Sequence, residues 1–337
     1  MKDRIVYLDI IRVFACVMII AMHAPIPNTG LSCYVLSADS LLTAPGIGLF
    51  IMVSGALVLP IRIPTKAFLK KRFGKIAIPT IFWTFFYMLD YCQKRGTDGI
   101  DFLRVLITIP FSFQFCLAFW FMYMLAGLYL LAPILSSWLK QVTKKELEFY
   151  LSLWVITMCY PFIRDYIGIN ESYSGILYYF GGYAGYFLLG YYLRIYVDAW
   201  PVWKSLLLMF IPLSIATLFK VLEVQVRFYD MFWYLSAFVV MMSISWFMMA
   251  KRVNVDFDNS SRLHHGLAFV SNCCFGIYLV HMFVMRSIIW NWMWLYDIGP
   301  MQILVVTILT FIGSFLITWL ISYLPGAEFI IGFKQKK

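Results

Sequence analysis

The sequence predicts an all-α, polytopic membrane protein with about ten transmembrane helices and both termini in the cytoplasm. Composition is the first observation behind this fold class: 62% of the 337 residues are hydrophobic and 13% are charged, whereas soluble domains average about 45–50% and about 25%. The second is that apolar runs long enough to cross a bilayer recur along the whole chain. The third is an uneven distribution of Lys and Arg between alternate loops.

A membrane-spanning helix needs about 17–25 mostly apolar residues. By this criterion the spans are predicted at residues 5–25, 44–61, 76–92, 115–138, 148–163, 174–193, 202–219, 228–250, 267–289 and 301–323. Residues 100–113 are too short to span and are expected to lie along the outer membrane interface. Because no polar stretch is long enough to fold separately, residues 1–337 are predicted to form a single integral-membrane domain with no appended soluble domain.

The basic residues indicate the orientation of these spans. If the N-terminus is cytoplasmic, the cytoplasmic segments carry 19 of the 27 Lys and Arg residues, the outer loops carry 6, and Arg12 and Arg286 lie within spans. Basic residues concentrate on the cytoplasmic side of membrane proteins, so both termini are predicted there. The net charge of +10 is therefore interpreted as a topology signal, and no nucleic-acid partner is predicted.

The first predicted span contains Asp9, Arg12 and His23, ionisable residues that are costly inside a membrane and are therefore candidates for function. Asp9 and Arg12 are three residues apart and can pair on one helix face. Arg12 and His23 are eleven residues apart, which corresponds to within about 20° of three full turns and about 16 Å of rise. They share a face at different depths, Arg12 toward the cytoplasm and His23 toward the outer side. The purely structural alternative is that Arg12 extends to the headgroups and His23 packs at the interface.

This helix resembles the opening of the acyltransferase family 3 membrane proteins, which begin with Leu-Asp-x-x-Arg and carry an arginine, ten residues and then a histidine. Here the sequence has Leu8-Asp9, then Arg12, then ten residues, then His23. Further similarity follows at Gly48, Phe50, Ser54 and Gly55 in the second span, at the basic segment from Phe68 to Pro79, at Trp120, Tyr129 and Pro133 in the fourth span, and at Gly276, Tyr278 and His281 in a late block. Lys75 stands where the family usually has a second arginine. The resemblance covers roughly residues 5–285.

The resemblance implies transfer of an acyl group, most commonly acetyl, from cytoplasmic acyl-CoA to a hydroxyl of a cell-surface or lipid-linked glycan. It also implies a bacterial cytoplasmic (inner) membrane location, with membrane lipids and the glycan acceptor as partners. His23 would act as the general base or carry the acyl group transiently, and the residues do not separate these roles. Arg12, oriented by Asp9, would hold a donor phosphate or polarise the thioester.

Other candidate residues have expected roles in donor binding, in substrate binding or in supporting the site. Lys71, Arg72 and Lys75 would bind the phosphates of coenzyme A, unless they only set the topology. Four residues are expected to bind substrate or support the site: Ser54, Trp120, Tyr278 and His281. The alternative for Ser54 is a close-packing Ser-Gly pair, and the alternative for His281 is a structural hydrogen bond. Arg286 is expected to reach the interface, and His264 and His265 to be solvated in a cytoplasmic loop. The seven cysteines lack the spacing of a zinc site, so they are interpreted as packing residues and no metal is predicted.

Two other functions remain open at the level of the sequence. A transporter or exporter of a lipid-linked glycan or small substrate would also place polar residues inside the membrane. It would consume no acyl-CoA and would leave no ester on its substrate. No strong repeat joins the two halves of the chain, which disfavours a transporter built from inverted repeats. A scaffold subunit of a glycan-assembly complex would not need Arg12 or His23.

Overall fold

The computed structural model describes residues 4–25, 42–95, 99–108, 115–160, 180–222, 231–253, 262–293, 299 and 301–335. Regular structure within these ranges is helical, without a β-strand. The helices are α1 (Val6–His23), α2 (Pro45–Val58), α3 (Thr65–Arg95), α4 (Gly99–Thr108), α5 (Trp120–Leu139), α6 (Lys144–Met158), α7 (Ala184–Ile195), α8 (Val202–Val221), α9 (Ala237–Arg252), α10 (Arg262–Phe283), α11 (Met301–Ile321) and α12 (Ala327–Ile331). A 3-10 turn (Leu117–Phe119) precedes α5, and a π-helical segment (Val284–Ile289) continues α10 into a short helix (Trp290–Met293).

The predicted all-helical fold is confirmed, and each of the predicted spans contains a helix. In the described part of the chain, five helical stretches are long and apolar enough to cross a membrane: Val6–His23, Leu117–Leu139, Val202–Phe219, Arg262–Trp292 and Met301–Ile321. The protein is therefore an integral membrane protein. The count of ten spans and the cytoplasmic location of the termini stay predictions.

Two segments predicted as loops are helical. The basic segment 62–75 is expected to be a loop, but α3 begins at Thr65 and continues to Arg95. Lys and Arg are good helix formers, and hydropathy marks the edge of the lipid rather than the end of a helix. For the same reason α10 begins at Arg262, so that His264 and His265 lie in its first turns. Parts of the predicted spans (161–163, 174–179 and 228–230) and residues 109–113 lie outside the described residues.

The helices group into two compact units, and unit 1 comprises Met1–Met22, Gly30–Pro60 and Ala132–Ser271. Within unit 1, α2 and α7 pack with their backbones in contact. A Cβ atom on Gly55 would overlap the carbonyl of Phe187, and one on Gly190 would overlap the carbonyl of Met52. Small residues permit such close approach between membrane helices, so these two glycines define where α2 and α7 cross.

A lysine stabilises the end of α7 in unit 1. The ammonium group of Lys251, in the last turn of α9, donates to the carbonyls of Leu193, Arg194 and Val197 at 2.9, 3.1 and 2.6 Å. The last carbonyls of a helix lack partners within the helix, and a cation is favoured there. The side chain of Arg194 donates in turn to the carbonyl of Ala56, so α2, α7 and α9 are joined by polar contacts as well as by packing.

Unit 2 comprises His23–Thr29, Ile61–Leu131 and Asn272–Lys337. Its C-terminal helix α12 packs on α3. The indole N–H of Trp83 donates to the carbonyl of Ile330 at 2.9 Å. Gly332 ends α12 with φ +68°, and a Cβ atom there would lie 3.0 Å from the carbonyl oxygen of Lys75. The segment after α11 therefore lies against the first half of α3.

Candidate active site

Asp9 is buried on α1 and lies at the centre of a polar network in unit 1. Its carboxylate accepts two hydrogen bonds from Arg4, at 2.5 and 3.0 Å, and one from the hydroxyl of Ser271, at 2.5 Å. Arg12 lies 3.6 Å from the same carboxylate and donates to the oxygen of Ser271 at 2.9 Å. A buried charge is tolerated only when it is paired and hydrogen-bonded, and Asp9 meets this condition.

The predicted contact between Asp9 and Arg12 is present, but two members of the network are not among the predicted site residues. Arg4 lies just before the first span, where a basic residue is expected on the cytoplasmic side. The sequence therefore assigns it no further role. Its side chain nevertheless makes the bidentate contact with Asp9 and also donates to the carbonyl of Ala268 at 2.8 Å. Ser271 is 262 residues away from Asp9, and a serine in an apolar run carries no signal of such a contact.

His23 and His281 are brought together in unit 2. Their rings meet edge to face, with centroids 5.3 Å apart and an interplanar angle of 69°. His281 is completely buried, and its Nδ1 lies 2.5 Å from the carbonyl oxygen of Tyr278. A carbonyl only accepts hydrogen bonds, so Nδ1 carries the hydrogen and Nε2 keeps its lone pair. This Nε2 is buried and has no hydrogen-bond partner among the described residues.

A tyrosine from α3 shapes the turn of α10 that carries His281. The hydroxyl of Tyr87 donates to the carbonyl of Leu279 at 3.1 Å and accepts from the backbone N–H of Phe283 at 2.9 Å. These two backbone groups are four residues apart, the spacing of a helical hydrogen bond. A side chain inserted there disturbs a helix locally, and the π-helical segment begins at the next residue, Val284. Such segments are frequent at functional sites.

Tyr278 supports this turn from the other side. Its hydroxyl donates to the carbonyl of Ala118, in the turn before α5. Its ring contacts those of Phe121 and His281, with centroid distances of 5.6 and 5.4 Å. Tyr278 is thus a neighbour of His281 through both its ring and its carbonyl.

Lys71, Arg72 and Lys75 lie on the first half of α3 in unit 2. Lys71 and Lys75 are exposed and, four residues apart, they share a helix face. The guanidinium carbon of Arg72 lies 5.8 Å from the ring centre of Phe68 and 5.6 Å from that of Tyr129. Within about 6 Å a cation is attracted to an aromatic face, so the two rings orient Arg72.

Two further predicted site residues, Ser54 and Trp120, lie on α2 and α5. Ser54 is half-buried and makes no hydrogen bond to another described residue, while its neighbour Gly55 is a helix-crossing point, as the close-packing interpretation expects. Trp120 begins α5, is half-buried and contacts the ring of Phe121 at 6.4 Å.

The prediction that His264 is solvated is wrong, because the residue is 9% exposed within the first turns of α10. Over the described ranges, no three His, Cys, Asp or Glu side chains are grouped as a metal site requires.

Ionisable side chains held inside apolar helices define a membrane-embedded protein with a polar site for chemistry or binding. A family model described as an acyltransferase domain, Acyl_transf_3, matches residues 5–319. The chain therefore belongs to acyltransferase family 3, and it is a membrane acyltransferase. No curated protein and no solved structure matches the chain significantly. The match extends beyond residues 5–285, over which the sequence motifs are similar, and it includes most of α11.

Proposed function

We propose that the protein transfers an acyl group from cytoplasmic acyl-CoA to a hydroxyl of a cell-surface or lipid-linked glycan, in the cytoplasmic membrane of a bacterium. Acetyl is the proposed group because it is the commonest in the family. The observation that supports a reaction centre most strongly is the contact between His23 and His281. Two histidines in contact, one of them with a fixed tautomer and a buried unpartnered nitrogen, suit proton transfer better than packing.

In the proposed reaction His23 removes the proton from the acceptor hydroxyl. The oxygen attacks the thioester carbonyl, an ester C–O bond forms, and the C–S bond breaks. The coenzyme A thiolate leaves and takes the proton from the protonated His23. General base catalysis of this kind contributes typically about 10²–10⁴-fold in rate.

His281 stabilises the protonated state of His23 in this scheme. The two rings meet edge to face, and Nε2 of His281 has no hydrogen-bond partner among the described residues. In the proposed scheme a rotation of the protonated His23 ring lets it donate a hydrogen to this Nε2. The alternative chemistry is that His23 attacks the thioester itself and passes the acyl group to the hydroxyl from an acyl-imidazole.

Arg12 and the basic residues of α3 are proposed to act on the donor. Arg4 makes the bidentate contact with Asp9, whereas Arg12 touches that carboxylate only at 3.6 Å and otherwise bonds a neutral serine. Much of the charge of Arg12 is therefore left for a phosphate or for the thioester oxygen. Lys71, Arg72 and Lys75 are proposed to hold the phosphates of coenzyme A, since basic side chains form strong charge-assisted hydrogen bonds with phosphate.

The packing within unit 2 supports the proposed direction of the reaction. The segment after α11 packs on α3, and a Cβ atom on Gly332 would lie 3.0 Å from the carbonyl oxygen of Lys75, so this segment lies beside the basic part of α3. The charge distribution predicts that both of these segments are on the cytoplasmic side. The donor would then arrive from the cytoplasm at Lys71 and Lys75.

The test is mass spectrometry of surface and lipid-linked glycans from cells with the wild-type protein, without it, or with the His23→Ala variant. The proposal expects a mass increment of one acyl group only with the wild type, while the variant still inserts into the membrane at a comparable level. Retained acylation with His23→Ala would refute the role of His23. Unchanged glycan masses with less glycan at the surface would identify a transporter instead.

A further inference from the structure

We propose that a cavity beside the His281 turn holds the acyl group of the donor, and that its size limits this group to acetyl or propionyl. This inference rests on the proposed function and deepens it. The cavity lies within unit 2 and has a volume of about 110 Å³. Liquid water fills about 30 Å³ per heavy atom, so by this measure the space takes about three or four heavy atoms. An acetyl group has three and a propionyl group has four, whereas a succinyl group has seven.

Much of the cavity wall is apolar and closely packed. Phe115, Cys116, Met282 and Phe283 all line the cavity. Cys116 and Met282 are buried, and the ring of Phe115 lies against that of Tyr91 at a centroid distance of 5.6 Å. Packed walls of this kind do not yield easily to extra volume, so they reject a chain that is longer than the cavity.

The polar part of the lining suits a thioester rather than a hydrocarbon chain alone. Arg286 and Ser287 line the cavity, and both side chains can donate a hydrogen bond. The carbonyl oxygen of a thioester accepts such bonds, whereas a chain long enough to fill the whole cavity would place methylene groups against them. Asp90, which also lines the cavity, already interacts with other groups of the protein. A short acyl group therefore matches both the apolar and the polar parts of the wall.

The cavity borders the helix turn that carries His281. Met282 and Phe283 follow this histidine directly, and Tyr87 lines the cavity while it bonds the backbone at Leu279 and Phe283. When a thioester is attacked beside the histidine pair, its acyl chain begins one bond away from the reacting carbon. The chain can therefore enter the cavity while the carbonyl carbon stays at the site of reaction.

The distance along α3 agrees with the length of the donor. Lys75 is one of the residues proposed to bind the phosphates, and Tyr87 lies twelve residues further along the same helix, which corresponds to about 18 Å of rise. The arm of coenzyme A between its phosphates and its sulfur has about thirteen chain atoms, which span about 15 Å at the dimensions of an extended polypeptide. With the phosphates near Lys75, the acyl group therefore reaches the level of Tyr87 and the cavity.

The discriminating variant is Phe115→Ala, which removes a ring from the cavity wall and leaves room for a longer chain. Its matched control is Phe149→Ala, because Phe149 is 59% exposed on α6 and does not line the cavity. Inverted membrane vesicles that contain the wild type or either variant are supplied with acetyl-, butyryl- or succinyl-CoA, and the mass added to the glycan is measured. The ratio of butyryl to acetyl transfer is taken within each preparation, so it does not depend on the amount of folded protein.

The wild type should transfer acetyl at least about tenfold better than butyryl, because one methylene too many in a hydrophobic pocket costs about 10–200-fold. In Phe115→Ala the ratio of butyryl to acetyl transfer should rise at least about tenfold, whereas in Phe149→Ala it should equal that of the wild type. Free coenzyme A should bind both detergent-purified variants as it binds the wild type, because it carries no acyl group.

The outcomes separate this inference from the proposed function. If the wild type adds no acyl group to any glycan from the three donors, the proposed function fails whatever the variants do. If the wild type transfers acetyl and Phe115→Ala leaves the ratio unchanged, the cavity is a packing defect and not the acyl subsite. Equal transfer of acetyl and succinyl by the wild type would overturn the size limit. Should Phe115→Ala not fold, Phe115→Leu opens the cavity less and makes the same comparison.

Discussion

The imidazole rings of His23 and His281 meet edge to face at 5.3 Å, although 258 residues separate them in the chain. The carbonyl of Tyr278 holds the hydrogen of His281 on Nδ1, which leaves Nε2 as an acceptor. The two histidines are therefore not equivalent. His23 is the proposed general base, whereas the backbone sets the tautomer of His281.

Substitution of His281 should distinguish an acceptor role from packing. In His281→Gln the amide oxygen can still accept a hydrogen bond, whereas in His281→Phe the space is filled without an acceptor. We expect glycan acylation to fall about tenfold in the glutamine variant and at least tenfold further in the phenylalanine variant, because phenylalanine cannot accept the hydrogen bond proposed to form from protonated His23. Equal activity of His281→Phe and wild type, at equal protein level, would show that His281 only packs.

Ser271→Ala should weaken the Asp9 network. The hydroxyl donates to Asp9 and accepts from Arg12, so its loss leaves a buried carboxylate with one donor fewer and Arg12 without its nearest acceptor. We expect a loss of about 1–3 kcal/mol in stability, measured as a lower unfolding midpoint in detergent, together with lower acylation. The control is Ser152→Ala, because among the described residues that exposed hydroxyl bonds only the carbonyl of Glu148. A Ser271→Ala protein as stable and active as this control would contradict the prediction.

Gly55→Ala should disrupt the packing of α2 on α7. The added Cβ would overlap the carbonyl of Phe187, and backbone cannot move aside as a flexible side chain can. We expect a destabilisation of at least about 3 kcal/mol or loss of the folded protein, the upper end for overpacked sites. Gly127→Ala on α5 is the matched control, since no described atom lies within 4 Å of its added Cβ and alanine favours helix. Comparable yields and unfolding midpoints for both variants would exclude the proposed close approach.

Removing Lys71 and Lys75 together should weaken donor binding. Both are exposed on α3, where their charges can meet phosphate. We expect coenzyme A to bind the Lys71→Ala/Lys75→Ala protein about tenfold more weakly at low salt, with a smaller difference at 1 M salt, where the screening length is about 3 Å. Lys145→Ala, an exposed lysine on α6, should bind normally. If the double variant retains full affinity at low salt, these lysines serve only topology.

Much of the local arrangement could be predicted because it depends on neighbours along one helix. Asp9 and Arg12 were expected to pair from their spacing of three residues, and the contact is present at 3.6 Å. The same reasoning does not predict the contact between Arg4 and Asp9, because a basic residue before a span is also expected from the concentration of positive charge on the cytoplasmic side. Hydropathy also places the start of α3 too late, at residue 76 instead of Thr65. Hydropathy reports contact with lipid, whereas lysine and arginine can continue a helix beyond the lipid.

The order of amino acids is enough to predict a helical membrane protein, and its motifs indicate acyltransferase family 3, because hydrophobic length, charge asymmetry and spacing within a helix are local properties. Which distant groups meet is visible only in the folded structure. Ser271 joins Asp9 to Arg12, His281 reaches His23 with Nε2 unpartnered among the described residues, and Tyr87 inserts between Leu279 and Phe283. Such contacts depend on how helices pack and rotate against one another, which the packing of many side chains sets together and no single motif encodes.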